Sequence, residues 1–254
     1  MNSSLRTENL TIRFGGHAAV NGVTCAFQPG ELTVIVGPNG AGKTTWFNLV
    51  SGQLKPTEGR IFKGDEDISA LSPSARAKGG IGRAFQLTNL FPKLTVLENV
   101  RLAVQARAGQ GARIFTRAAG LTDIRDKAYG FVEATRLAAV AHLPASALPH
   151  GDQRKLEVAL LMAMEPDIFM FDEPTAGMSV DEAPAILELV AELKKDGSKT
   201  ILLVEHKMDV VRALADRIVV LHNGELVADG RPDEVMALPI VREIYLGVGA
   251  EEVA

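Results

Sequence analysis

Apolar and polar positions change rhythm several times along this chain, and each change marks an element. Leu10, Ile12 and Phe14 alternate with polar neighbours, the period of a half-buried strand. Val23, Cys25 and Phe27 alternate in the same way and predict a second strand. Leu32 to Val36 is an unbroken apolar run running into a glycine-rich loop, the signature of a strand buried on both faces of a parallel sheet. A helix is expected from about Lys43 to Ser51, with Gly52 as its C-cap. Arg60 to Lys63 and Ile81 to Phe85 read as further strands.

From Thr95 to about Leu137 the spacing becomes helical. Thr95-Val-Leu-Glu98 is a capping box that opens a first helix, Gly109 to Gly111 interrupt it, and Asp123 to Leu137 carry another. Strands return at Ile168 to Phe171, Thr200 to Glu205 and Arg217 to His222. Between them Ser179-Val-Asp-Glu182 is a second capping box, Gly197 a helix stop, and Asn223-Gly224 a two-residue hairpin turn. The pattern predicts one α/β domain over residues 1–254, with a nucleotide-binding core at 1–86 and 158–254 and a helical subdomain inserted at 87–157.

Composition mainly excludes. At 254 residues the chain can bury a substantial core. No apolar run approaches the ~20 residues of a membrane-spanning helix, and the first residues lack the apolar stretch of a secretory signal. A net charge of −4 gives no electrostatic case for nucleic acid. The single cysteine, Cys25, forbids an internal disulfide, and its place in the alternation makes it a small buried residue. The chain reads as cytosolic, so any membrane role comes through a partner.

The candidate chemistry starts in the glycine-rich loop. Gly37, Pro38, Asn39, Gly40, Ala41, Gly42, Lys43, Thr44 and Thr45 fit the P-loop spacing of Gly, four residues, Gly, Lys, Thr. Its glycines let backbone N–H groups turn toward phosphate oxygens, Lys43 reaches the β and γ phosphates, and the Thr44 hydroxyl holds Mg²⁺. The helix that follows points its positive end at the same anion. The expected ligand is therefore a nucleoside triphosphate. Ile168-Phe-Met-Phe-Asp172-Glu173 is a buried strand ending in two carboxylates, which delivers Asp172 to the metal and Glu173 to an attacking water as general base. Gln86, at the junction with the helical insert, can touch both the metal and the water. His206 closes the strand that ends at Glu205 and can donate to the γ-phosphate. Phe14 either stacks on the adenine or is a core aromatic. Leu148-Pro-His-Gly151-Asp-Gln-Arg154 opens a helix whose N–H groups, Gly151 among them, form a second anion site facing another chain's nucleotide. Leu87, Leu90 and Phe91 place apolar side chains in a loop and suggest a docking surface, or else pack under the helical insert.

Taken in order, these motifs resemble the ATP-binding subunit of ABC transporters over nearly the whole chain. Arg13-Phe-Gly-Gly16, Ile81-Gly-Arg-Ala-Phe-Gln86, Leu94-Thr-Val-Leu-Glu-Asn-Val100, His150-Gly-Asp-Gln-Arg154, Val204-Glu-His-Lys-Met208 and Glu243-Ile-Tyr-Leu-Gly247 look like the importers of branched-chain amino acids and of amides such as urea. The resemblance implies an ABC-type P-loop core with an added antiparallel β subdomain, and ATP and Mg²⁺ as cofactors. It implies two ATP-binding subunits closing head to tail on two ATP molecules at the cytoplasmic face of the membrane, and transmembrane permease subunits. A solute-binding protein enters indirectly. The alternative is a soluble ATPase of the same type with no tie to transport. Pro149 departs from the pattern, which usually has Ser there to contact the partner's γ-phosphate; Pro offers neither hydroxyl nor N–H. A heterodimer with unequal sites is the favoured expectation, and a homodimer the other arrangement.

Overall fold

Strand alternation at the N-terminus produces a long hairpin in the computed structural model, which describes residues 4–84, 90–109, 118–179 and 181–246. Strands β1 (Leu5–Phe14) and β2 (His17–Phe27) pair antiparallel, with Phe14 opposite His17. The second strand begins earlier than its apolar pattern suggests, because Val20 and Ala18 continue the ladder opposite Ile12 and Arg13. Cys25 is buried, as its alternation predicts, and burial above all pushes its thiol up to about 12.

All five residues of β3 (Leu32–Val36) are buried. Helix α1 (Lys43–Ser51) follows and stops at Gly52, whose φ of 83° lets its N–H donate to the Leu49 carbonyl at 3.2 Å. Strands β4 (Glu58–Lys63) and β5 (Glu66–Asp67) complete a four-stranded antiparallel sheet in the order β2-β1-β4-β5. Helix α2 (Pro73–Lys78) leads into β6 (Ile81–Ala84).

The helical layer follows. Helix α3 (Val96–Arg107) opens on both halves of its capping box: Thr95 Oγ1 accepts from the Glu98 N–H at 3.1 Å, and Glu98 Oε2 accepts from the Thr95 N–H at 3.0 Å. Helix α4 (Ala118–Ala134) starts before the expected Asp123 and stops before Leu137, where Arg136 takes a φ of 60° and ends the helical run. Helix α5 (His150–Ala163) serves two cores. Its Leu156 and Ala159 pack with Val100, Ile124 and Val132 of the helical layer, while Val158 and Leu161 pack under the large sheet. The expected seam at residue 157 therefore runs through one helix, because successive faces of a 3.6-residue period point different ways.

The remaining elements alternate strand and helix: β7 (Ile168–Asp172), α6 (Ala183–Lys194), β8 (Thr200–Val204), α7 (Met208–Leu214) and β9 (Arg217–His222). Then come β10 (Glu225–Gly230), α8 (Pro232–Ala237) and α9 (Pro239–Leu246). The large sheet runs β10-β9-β3-β8-β7-β6, parallel except for β10. Asn223 and Gly224 both take positive φ, 49° and 81°, as a tight hairpin turn between β9 and β10 requires. The Ser179–Glu182 box forms, with α6 starting just after it. Among the described residues no helix is long and apolar enough to cross a membrane.

Candidate nucleotide site

Three parallel strands end at the same edge of the large sheet. The register sets Ile35 of β3 beside Val204 of β8, and Val204 beside Asp172 of β7. The loops leaving these strands carry the P-loop, Glu173 and His206. The carboxyl edge of an open parallel sheet is where such folds bind ligands.

The P-loop is shaped by close backbone approach. A Cβ at Gly37 would sit 2.1 Å from the Leu221 carbonyl oxygen, and one at Gly42 would sit 2.4 Å from that of Ala19. Gly42, at φ 95°, caps α1 without a side-chain bond. The helix's first N–H groups, at Lys43, Thr44 and Thr45, therefore point outward with no partner in the preceding turn. Ala19, Asn39, Gly40, Ala41, Gly42, Lys43, Thr44, Thr45 and Glu173 line a cavity of about 190 Å³. Lys43 is buried and donates to the carbonyls of Gly37 and Pro38 at 2.7 and 2.9 Å. Burial lowers its pKa, against the opposing pull of Glu173 and Asp172.

Asp172 ends β7 at 3% exposure. Its Oδ2 accepts from Arg83 Nη2 at 2.6 Å, while its Oδ1 is buried without a hydrogen-bond partner. Burial raises its pKa, and Arg83 works against that rise. The next residue, Glu173, has a φ of 50°, unusual for a side-chain-bearing residue. Its N–H is tied to the Val204 carbonyl at 3.1 Å. That turn presents the carboxylate to the cavity, where Glu173 Oε1 lies 2.7 Å from His206 Nε2. Glu205 is buried behind this pair. It accepts from the Thr175 hydroxyl and from the His206 N–H, fixing the loops that carry Glu173 and His206.

The P-loop, Asp172, Glu173 and His206 thus come together. Phe14 does not line this cavity, whose wall Ala19 of β2 reaches; at 53% exposure on the tip of the β1–β2 hairpin it is not a core aromatic, and its ring is free to stack on a base. Gly151 lies at the start of α5, away from that wall, with the Glu182 carboxylate so close that a Cβ would meet its Oε1 at 2.7 Å. Pro149 is the N-cap of α5 and makes no side-chain cap bond. Gln86 and Leu87 lie outside the described residues. Leu90 packs against the helical layer, but Phe91 is 57% exposed beside a groove it shares with Leu102, Ala106, Leu160 and Met164. Its backbone is clamped on both sides by Asn99, whose Oδ1 accepts at 2.8 Å and whose Nδ2 donates at 3.1 Å.

Sequence reasoning missed Arg83, Glu205 and Thr175 as site residues. Arg83 carried the one available signal, a charge inside the otherwise apolar run Ile81-Gly-Arg-Ala84.

Residues 20–176 match the ABC transporter family. The chain is 39% identical over 250 residues to the high-affinity branched-chain amino acid transport ATP-binding protein LivG of Escherichia coli (strain K12), covering 96% of this chain and 97% of that protein. It is 37% identical over 248 residues to the corresponding protein BraF of Pseudomonas aeruginosa, with the same coverage. Among solved structures it resembles an ATP-binding cassette of an ABC transporter in its ADP conformation, at TM-score 0.81 and 31% identity over 96% of this chain and 98% of that one. It also resembles a dimeric cassette in a post-hydrolysis state bound to ADP and Pi, at TM-score 0.76 and 28% identity over 90% and 98%.

Proposed function

Because the chain belongs to the ABC transporter family, as an ATP-binding cassette ATPase, we propose that its cavity hydrolyses MgATP to drive a membrane importer of branched-chain amino acids. The observation that carries this reading is the Glu173–His206 pair, 2.7 Å apart, with Glu173 on the wall of the P-loop cavity. Glu173 is the base that takes a proton from the attacking water. His206, held by Glu205, orients that carboxylate and faces the terminal phosphate. Lys43 leaves the Gly37 and Pro38 carbonyls to neutralise phosphate charge, and the open N–H groups of α1 complete the cradle. The residues present fit a divalent cation: Thr44, which carries a hydroxyl, lines the cavity, and Asp172 holds a buried oxygen with no hydrogen-bond partner. Mg²⁺ bound there supplies charge neutralisation at the β and γ phosphates. Gln86, two positions beyond β6 in the sequence, is assigned to this set by the motif order alone.

The same reading assigns two partners. Transmembrane permease subunits dock on the cytoplasmic side against Phe91 and its groove, since a fully solvated loop gains nothing from an exposed phenyl ring. A Phe91→Asp variant is expected to bind ATP normally and assemble poorly with the permease. Leucine uptake in vesicles should then fall to background. Normal assembly and uptake with this variant would rule out the surface, and uptake of urea in place of leucine would reassign the solute.

The second partner is another ATP-binding subunit whose P-loop faces the α5 N-terminus of this chain. Without the usual hydroxyl at Pro149 that composite site is the weaker of two, which favours a heterodimer. Restoring one charged hydrogen bond, worth roughly 1.5–3 kcal/mol before compensation by water, should make Pro149→Ser raise the assembled transporter's ATPase rate by about 2- to 10-fold. An unchanged or lower rate at saturating ATP, with assembly verified by gel filtration, would count against unequal sites.

A further inference from the structure

We propose that Arg83 is a positioning residue for the metal carboxylate, holding one oxygen of Asp172 so that the other stays open. This rests on the reading of Asp172 given above.

Arg83 sits on β6, the edge strand paired in parallel with β7, opposite Met170. Its side chain is nearly buried, and its two terminal nitrogens meet polar groups of the P-loop helix, the turn after it and β7. Nη2 donates to Asp172 Oδ2 at 2.6 Å. Nη1 donates to Asn48 Oδ1 at 2.6 Å and to Ser51 Oγ and Gln53 Oε1 at 3.1 Å each. The guanidinium also lies 5.6 Å from the Phe47 ring centroid. One planar cation is thus pinned to the last turn of the P-loop helix and grips the carboxylate end-on. A two-armed grip would have consumed both Asp172 oxygens. The end-on grip leaves Oδ1 buried and unpartnered, and the fixed fork of Arg holds it in place. Residues that orient a metal ligand in this manner set its affinity without touching the metal.

The same side chain reaches the outside. Ser51, Gln53 and Arg83, with Leu90, Glu157 and Leu160, line an apolar groove of about 280 Å³ between the large sheet and the helical layer.

The test separates nucleotide affinity into its metal-free and metal-dependent parts. ATP affinity of the full chain is measured by calorimetry in EDTA and in saturating Mg²⁺, for the native protein, Asp172→Asn, Arg83→Gln and Asn48→Ala, with folding checked by thermal melting. Arg83→Gln is expected to leave the EDTA value unchanged and to cut the gain on adding Mg²⁺ about 10-fold, as loss of an orienting partner does. A lower melting temperature with an undiminished Mg²⁺ gain would reduce Arg83 to a structural ion pair and overturn the proposal. A larger gain would overturn it too, by showing that Arg83 competes with the cation. Should Arg83→Gln not fold, Asn48→Ala decides: it keeps the ion pair but removes its 2.6 Å anchor, and it should lower the gain several-fold. No change there would also overturn the proposal. If Asp172→Asn keeps the full gain, the reading of Asp172 itself fails. If Asp172→Asn loses the gain and Arg83→Gln does not, only the role of Arg83 fails.

Discussion

Glu173→Gln should abolish most ATP turnover while leaving ATP bound. A positioned general base contributes about 10²- to 10⁴-fold, and the substitution removes the basic oxygen without changing the side chain's length. The surroundings are prepared to tolerate it. A glutamine amide oxygen can still accept from His206 Nε2 across the 2.7 Å contact. The φ of 50° at this position is fixed by the Val204 carbonyl on one side, and it costs a glutamine no more than a glutamate. Removing a negative charge beside the triphosphate also favours binding, so ATP affinity should hold or rise and a closed dimer should accumulate on gel filtration. Full steady-state ATPase activity in a Glu173→Gln protein verified by mass spectrometry would remove Glu173 from the mechanism.

The parts of the site that were legible in the sequence are those made within a few residues. The P-loop is one continuous stretch, because the glycines, lysine and helix N-terminus that cradle phosphate must be neighbours in the chain. The Thr95–Glu98 and Ser179–Glu182 boxes and the Asn223-Gly224 turn are local for the same reason, and each forms with the partners its spacing implies. Asp172 and Glu173 were legible as a pair because a buried strand ending in two carboxylates has few purely structural uses.

What the chain did not disclose depends on pairing across distance. The Arg83 contact to Asp172 exists because β6 and β7 lie side by side, and nothing local to either strand encodes that adjacency. Glu205 looks like an ordinary strand end until Thr175 and the His206 N–H are seen to converge on it. The early start of β2 follows from the ladder that β1 offers to Ala18 and Val20, whose own side chains carry only a weak pattern. Phe14 shows that alternation alone does not fix burial. Its alternation with Leu10 and Ile12 is genuine, but the hairpin tip carries it past the edge of the core, where it is half-exposed.

Lys43→Ala should weaken ATP binding by about 100-fold, the upper part of the ~1.5–3 kcal/mol range for a hydrogen bond to a charged group. Two effects act in the same direction. The phosphates lose the only cationic side chain on the cavity wall among the described residues, and Glu173 then faces them without that ammonium between. Asp172 adds its charge from close by, as its opposing effect on the Lys43 pKa shows. The free protein meanwhile loses a buried ammonium that it held at a desolvation cost, so its folding should suffer far less than its binding. The second effect predicts coupling between the sites. Adding Glu173→Gln to Lys43→Ala should restore part of the lost affinity, because the neutral amide no longer repels the γ-phosphate. The pair should therefore be non-additive, as residues acting on one charge are. Calorimetric titration of ATP into the native protein, both single variants and the double variant closes that cycle. Strict additivity would mean that Lys43 and Glu173 do not act on the same phosphate, and the geometry assigned to the cavity would be wrong.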